Sequence, residues 1–82
     1  MEYIYALDAE VCEYLVTLPK RRREPLVKQF QALAANPYQE AEESYLDENG
    51  RTIHLLLAGR FVILWWADHA VKEVRVVGLD PI

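Results

Sequence analysis

Apolar residues recur at helical spacing in two stretches of the first half of the chain. The first stretch predicts a helix over residues 9–18, with apolar positions at Val11, Tyr14, Leu15 and Leu18. The second predicts a helix over residues 20–35, with a stripe made of Leu26, Phe30 and Leu33. Only Pro19 separates the two stretches, and proline disfavours a helical conformation in the residue before it. We therefore expect the two helices to form an antiparallel hairpin.

Shorter apolar runs predict four β-strands. The first, "EYIYALD" at 2–8, alternates its side chains between two sides, and the others are "RTIHLLL" at 51–57, "RFVILWWA" at 60–67 and "AVKEVRVVGL" at 70–79. Ala58-Gly59 suits a tight hairpin, whereas the acidic segment 39–51 is expected to be a connection that ends at the turn signal Asn49-Gly50. The order β-α-α-β-β-β predicts an α+β fold, with residues 1–82 forming a single domain. In that fold the helical hairpin packs on one face of a small, mainly antiparallel sheet.

The composition agrees with one small domain in a reducing compartment. The 82 residues are 52% hydrophobic and 11% aromatic, which is enough for a packed core. The single cysteine, Cys12, excludes an intramolecular disulfide, and it is too far in sequence from His54 and His69 to suggest a metal site. The N-terminus does not resemble a signal peptide, and the longest apolar run, "FVILWWA", is too short to span a bilayer. We expect a cytoplasmic protein with no membrane contact, no metal and no cofactor.

Charge is distributed unevenly along a chain whose net charge is −4. Four of the nine positive charges are consecutive, at Lys20, Arg21, Arg22 and Arg23, and five of the thirteen acidic residues lie within 40–48. Strong unaided binding of nucleic acid is not expected, because phosphates repel a net negative charge. The basic cluster is still a candidate RNA or ribosome contact, with a solvated helix start as the alternative interpretation.

Two long segments of the chain carry a family resemblance. The segment "LDAEVCEYLVTLPKRRREPLVKQFQALAANPY" looks like a helical hairpin closed by Asn-Pro, and "LLLAGRFVILWWADHAVKEVRVVGL" looks like three strands with a glycine before the aromatic-rich one. Together with the element order, they resemble the RelE/ParE superfamily of type II toxin–antitoxin toxins over nearly the whole length. The resemblance implies a toxin, a cognate antitoxin protein as its partner, and a role in plasmid stabilization. RelE-type members cleave mRNA in the ribosome, and ParE-type members inhibit DNA gyrase.

The resemblance also implies where catalytic side chains would lie. Ribonuclease members carry an arginine on the strand after the glycine and a further Arg, His or Tyr near the C-terminus. Here Arg60 follows Gly59, Val62 occupies the other position that can be aligned with the arginine, and the tail "VVGLDPI" lacks the further residue. RNA cleavage needs a base, a cation for the phosphate and an acid. The catalytic candidates are therefore Arg60 as phosphate clamp, His54 as base or acid, and Arg75, with Arg51 as an RNA contact.

The expected hairpin fixes how these candidates relate to one another. If Ala58-Gly59 forms the turn, position 57 pairs with position 60 and His54 pairs with Ile63. His54 and Arg60 then have opposite parity in the sheet, and only a bulge or a longer loop would align them. For both residues the alternative is an ordinary polar side chain on a solvated part of the sheet.

The two tryptophans have opposite parity on their strand. Trp65 follows Phe61 and Ile63 at a period of two, so it is expected in the core. The other side of the same strand carries an apolar strip made of Val62, Leu64 and Trp66. An apolar strip suits a protein partner better than a phosphodiester, so it is the candidate surface for the antitoxin or for a homodimer.

Two functions are consistent with these observations. The first is a toxin that cleaves mRNA in the ribosome with a reduced active site. The second is a non-catalytic, protein-binding member of the same fold, either ParE-like and directed at gyrase or degenerate and retained for binding. Growth arrest with mRNA cleavage would favour the first function, and inhibition of DNA supercoiling would favour the ParE-like form of the second.

Overall fold

A computed structural model describes residues 2–82 and arranges them as two helices and five strands. The elements are β1 (Ile4–Leu7), α1 (Ala9–Thr17), α2 (Lys20–Ala35), β2 (Glu43–Leu46), β3 (Thr52–Ala58), β4 (Phe61–Asp68) and β5 (Glu73–Pro81). Both helices and four of the strands coincide with elements that the hydrophobic pattern predicts. The predicted α+β fold is therefore confirmed, with the helices packed on a five-stranded mixed sheet.

The segment expected to be a connection contains one further strand, β2. All four of its residues are exposed, so it has no buried side that could produce an apolar alternation. β2 pairs antiparallel with β3 and places Tyr45 opposite Ile53. The turn between the two strands is ordered by the Asp47 carboxylate, which accepts hydrogen bonds from the backbone N–H groups of Asn49 and Arg51, both at 2.9 Å.

The sheet has the order β1-β5-β4-β3-β2, so β1 and β2 form its two edges. β1 is parallel to β5, and the other neighbours are antiparallel. The helical hairpin carries the chain across one side of the sheet, from the edge at β1 to the edge at β2. Within residues 2–82, neither helix is long and apolar enough to cross a membrane.

The hydrophobic core lies between the helices and the sheet. Its buried side chains are Val11, Leu15, Leu26, Phe30, Leu33, Phe61, Ile63, Trp65, Val74, Val76 and Leu79. Trp65 is only 1% exposed, which confirms the position expected from its parity. The helical stripe and the odd-numbered residues of β4 thus meet, as the two periodicities require.

The β3–β4 hairpin differs from its expected register by one residue on each strand. Ala58 pairs with Phe61, so the turn residues are Gly59 and Arg60 rather than Ala58 and Gly59. Gly59 has a φ of 61°, a conformation that favours glycine and suits the first central position of a tight hairpin turn. The expected pairing of His54 with Ile63 is therefore wrong, and His54 lies opposite Trp65.

Candidate functional site

The predicted partner-binding residues lie on the side of the sheet away from the helices. We call it the open face, and the register places on it Leu55, Leu57, Val62, Leu64, Trp66, Arg75 and Asp80. Leu57 lies opposite Val62 and Leu55 opposite Leu64, so the apolar strip of β4 continues onto β3. Leu57 is 56% exposed, while Val62, Leu64 and Trp66 are half-buried. The strip therefore lies on the side of the sheet away from the helices, as its parity predicts, and Leu57 extends it with an exposed apolar side chain.

One end of the open face contains a polar depression of about 260 Å³. It is lined by Asp8, Arg51, Trp66, Asp68, Arg75 and Val77. The two arginines come from β5 and from the residue just before β3, and the two aspartates from the ends of β1 and β4. Cations and carboxylates thus meet beside an aromatic ring, which is a suitable set for binding a phosphate next to a nucleobase.

The two arginines of the depression make different contacts. The Arg75 guanidinium lies between two carboxylates, with Nη2 at 3.5 Å from Asp8 and Nη1 at 3.2 Å from Glu73. The Arg51 guanidinium lies over the Trp66 ring, 4.7 Å from its centre. Among the ion pairs of residues 2–82, Arg51 takes part in none. Arg51 is therefore the cation of this depression that is free to bind an anion.

Trp66 forms the boundary between the apolar strip and the depression. Its indole Nε1 is buried and has no hydrogen-bond partner among the described residues. A buried donor without an acceptor costs free energy, of the order of 1–3 kcal/mol. Trp66 therefore has a hydrogen-bond donor without an acceptor in the described chain.

His54 lies on the helix-facing side of the sheet. Its ring centre is 4.7 Å from that of Trp65, and its Nδ1 is 2.8 Å from the Ser44 hydroxyl. Desolvation by burial lowers the pKa of His54 below its ordinary value, so the imidazole is neutral near pH 7. The structure does not bring His54 together with Arg60, because four residues of β3, about 13 Å of strand, separate it from the turn.

Arg60 lies beside the predicted RNA-binding cluster instead. It lines a groove of about 340 Å³ together with Arg21 and Arg22, over a floor that includes Leu26 and Phe61. We call this surface the arginine groove. No carboxylate forms an ion pair with its three guanidiniums in the described part of the chain. Sequence reasoning assigned Arg60 and the cluster to separate roles, and the fold puts them in one place.

The other two members of the basic cluster lie outside the arginine groove. Lys20 pairs with Glu24 at 3.6 Å, and both side chains are largely exposed. Arg23 is half-buried and does not line the groove. The predicted footprint Lys20–Arg23 is thus divided by the turn of α2, and only Arg21 and Arg22 share a surface with Arg60.

A cluster that sequence reasoning missed joins Tyr3, Tyr38 and His69. The Tyr3 hydroxyl is 3.0 Å from that of Tyr38 and 2.6 Å from His69 Nδ1. The Tyr38 and His69 rings are stacked, with centres 4.6 Å apart and planes 4° apart. The hydrogen bond with Tyr38 raises the pKa of Tyr3 to about 12, so this hydroxyl stays neutral at physiological pH. No spacing signal could have revealed the cluster, because its residues lie in three separate segments.

Metal ligands are not grouped in the described chain. No set of three or more His, Cys, Asp or Glu side chains in residues 2–82 is arranged to hold a metal ion. Cys12 is exposed on α1 and unpaired.

Comparison with known proteins finds matches in structure. No protein-family model matches the chain, and no curated protein matches it in sequence. The toxin–antitoxin complex RelBE2 of Mycobacterium tuberculosis contains a chain with a TM-score of 0.80 and 17% identity, over 100% of both chains. The archaeal RelE–RelB complex of Pyrococcus horikoshii OT3 gives a TM-score of 0.78 and 15% identity, over 99% of this chain and 96% of that chain.

A third structure, of an arginine double mutant of the Escherichia coli toxin RelE in the free state, has a TM-score of 0.70 and 16% identity. It covers 99% of this chain and 84% of that chain. The three matches extend over essentially all of the present chain. They show that this chain has the same fold as these three RelE structures.

Proposed function

We propose that this protein is the toxin component of a type II toxin–antitoxin system. The observation that carries the proposal is the fold match along the whole chain to three RelE structures, two of which are complexes with RelB. The match covers both edges of the sheet and both helices, so it does not depend on a single motif. A cognate antitoxin is the expected partner, and the cytoplasm is the expected compartment.

The open face is the surface that best suits the antitoxin. The exposed Leu57 and the half-buried Val62 and Leu64 form an apolar band across two strands. Burying apolar area contributes about 25 cal/mol per Å², so a partner segment laid along this band would gain affinity directly. A homodimer through the same band would compete with the antitoxin.

The first mode of action is cleavage of mRNA in the ribosome, and the polar depression supports it. Arg51 would bind the scissile phosphate, and Arg75 would add a second cation on leaving its two carboxylate partners. The Asp68 carboxylate would take the proton of the 2′-hydroxyl as the base, and water would protonate the leaving 5′-oxygen. His54 does not belong in this set, because it lies on the helix-facing side of the sheet. Arg21, Arg22 and Arg60 would supply a separate contact with ribosomal or messenger RNA.

The second mode of action is binding to a protein target, either DNA gyrase or another one, without cleavage. The strip of Val62, Leu64 and Trp66 supports this mode, because its residues are apolar where the RelE-type ribonucleases that the chain resembles carry polar and basic groups. The ion pairs of Arg75 with Asp8 and Glu73 also support this mode, because a guanidinium that already pairs with two carboxylates binds a phosphate less strongly.

The experiment is to induce the chain alone in a bacterial host, measure growth, and map mRNA ends in the arrested cells. Growth arrest is expected, because the proposed antitoxin is absent. Arrest with new mRNA ends, abolished by Arg51→Ala but not by Lys28→Ala on the exposed side of α2, supports cleavage. Arrest without new ends, together with inhibition of gyrase supercoiling by the purified protein, supports the ParE-like mode. Unchanged growth despite soluble, folded protein contradicts the toxin proposal.

A further inference from the structure

The described chain contains a further groove that shares no lining residue with the polar depression of the open face. It is a groove of about 740 Å³ between the edge strand β1 and the C-terminal end of α2. We call it the tyrosine groove, and the residues that matter for its chemistry are Glu2, Tyr3, Ala34, Ala35, Asn36 and Tyr38. Neither the arginine groove nor the polar depression shares a residue with it. It is therefore a different place from the two polar surfaces to which the proposed function assigns RNA contacts.

The end of α2 presents carbonyl oxygens to this groove. The Asn36 N–H donates to the carbonyls of Ala32 and Leu33, at 3.1 and 3.2 Å, and the next residue, Pro37, has no N–H to donate. Among the described residues, no backbone N–H outside the helix bonds to the carbonyls of Ala34 or Ala35. The last turn of α2 also contains no basic residue that would offset the negative end of the helix dipole.

Two tyrosine rings form an ordered wall of the groove. Tyr38 is 72% exposed, yet it is held by the Tyr3 hydroxyl and by stacking on His69. The Tyr3 and Tyr38 rings meet edge to face, with centres 6.1 Å apart and planes 73° apart. An aromatic face attracts a cation, and the Lys72 ammonium already lies 5.5 Å from the Tyr3 ring centre. Lys72 and His69 are not among the residues that line the groove, whereas both tyrosines are.

The remaining charge in the groove is negative. Glu2 contributes an exposed carboxylate, and the chain as a whole has a net charge of −4. Aromatic faces, free helix carbonyls and a carboxylate share one preference, which is for a cation able to donate hydrogen bonds. We propose that the tyrosine groove binds the guanidinium or ammonium side chain of a basic segment in a partner protein. The occupant is a peptide cation, because the aromatic faces, the free helix carbonyls and the Glu2 carboxylate would all repel an anion or a nucleic acid backbone.

The test uses the intact protein, labelled with ¹⁵N and ¹³C, and a short peptide that carries two arginines between serines. Its matched control is the same peptide with citrulline, which keeps the shape of the guanidinium group but has no charge. We expect the arginine peptide to shift the carbonyl and amide resonances of Ala34, Ala35 and Asn36, and the citrulline peptide to leave them in place. Equal shifts with both peptides, or shifts confined to the acidic segment 40–48, would overturn the proposal.

Variants locate the binding within the groove. Tyr38→Ala should weaken binding roughly three- to fivefold, as expected for the loss of one exposed cation–π contact. Glu2→Gln should weaken it further at low salt. The matched control is Tyr45→Ala, which removes an exposed tyrosine from the opposite edge of the sheet and should leave the affinity unchanged. All three substitutions are at exposed positions, and the unaffected resonances of each variant report whether the fold is retained.

A second copy of this chain is the competing occupant, since its own Lys20–Arg23 cluster is basic. If the resonances of Ala34 and Ala35 shift with protein concentration in the absence of any peptide, the groove binds another copy and the proposal is wrong. Because growth arrest is not measured here, a failed titration leaves the toxin proposal intact. The reverse also holds, because a chain that does not arrest growth can still bind the arginine peptide.

Discussion

The two sides of the sheet are built from the same strands and differ in what covers them. On the helix-facing side Trp65 is 1% exposed and packs in a core closed by both helices. On the open face its neighbour Trp66 is half-buried and is covered by a single arginine, Arg51. The core side chains on the first side are buried and contribute to folding, whereas Leu57 on the second side is 56% exposed and available to a partner. Substitutions on the helix-facing side should therefore change stability, and substitutions on the open face should change function.

The largest expected effect is on the helix-facing side. Trp65→Ala should lower the free energy of unfolding by about 3–5 kcal/mol, because it leaves a large cavity in the core. Trp66→Ala, its matched control on the open face, should lower it by no more than about 1–2 kcal/mol, since that ring is only partly buried and packs against the exposed Arg51 rather than against the core. Urea unfolding of both variants checks this. Equal losses would show that the two sides do not differ in the way described.

The next largest loss of stability is expected for a substitution of Gly78 on the open face. Gly78 pairs with Leu64, and a Cβ at Gly78 would lie 2.8 Å from Leu64 Cδ1 and 3.1 Å from its Cβ. Gly78→Ala should therefore destabilise the fold by about 1–3 kcal/mol through overpacking. Adding Leu64→Ala should recover part of that loss, because it removes the 2.8 Å contact with Cδ1 and leaves the 3.1 Å contact with Cβ. Chemical denaturation of the two single variants and the double variant measures the coupling, and strictly additive losses would contradict the predicted clash.

A smaller effect is expected for the ion pairs of the polar depression. The Asp8 and Arg75 side chains are 42% and 39% exposed, so their attraction is screened by water. A double-mutant cycle with Asp8→Asn and Arg75→Met should give a coupling of no more than about 1 kcal/mol, and it should decrease at high salt. A much larger coupling would mean that the depression is a structural element of the fold rather than a site.

The smallest effect is the pH dependence contributed by His54. Its pKa is lowered in the folded state by desolvation, so the unfolded chain binds the extra proton more readily. This contribution to stability is present above the ordinary histidine pKa and is lost as the pH falls through the lowered value. Unfolding measured at pH 7.5 and pH 5 should show a smaller acid loss in His54→Gln than in the unsubstituted chain. The same acid loss in both proteins would contradict a buried, neutral His54.

The elements that periodicity predicts are those with one buried side. The stripe of α2 and the alternation of β4 both face the core, and both appear where expected. β2 has four exposed residues and therefore no pattern, so it was missed. The hairpin turn was displaced by one residue because Ala58-Gly59 and Gly59-Arg60 are equally short, and only the positive φ of Gly59 decides between them.

The sequence predicts on which face of the sheet the two tryptophans lie, but it does not predict which distant residues come together. Parity alone placed Trp65 and Trp66 on opposite sides. It could not bring Arg60 to Arg21 and Arg22, because that contact depends on how α2 crosses the end of the hairpin. The cluster of Tyr3, Tyr38 and His69 likewise depends on three segments meeting at one end of the sheet. Contacts between distant segments are set by packing, which has no local signature in the sequence.

The most direct test of the central claim, that this is a toxin acting through its open face, is growth after induction of three forms of the chain. Leu57 on the open face and Val16 on α1 are both exposed apolar residues, 56% and 69%, so aspartate is tolerated at each. We predict arrest by the unsubstituted chain and by Val16→Asp, and normal growth with Leu57→Asp at equal levels of soluble protein. In both proposed modes the target lies against the open face, and a new carboxylate beside the apolar strip would repel an RNA backbone and interrupt an apolar protein contact. Arrest by all three forms would contradict the role of the open face, and normal growth with all three would contradict the toxin itself.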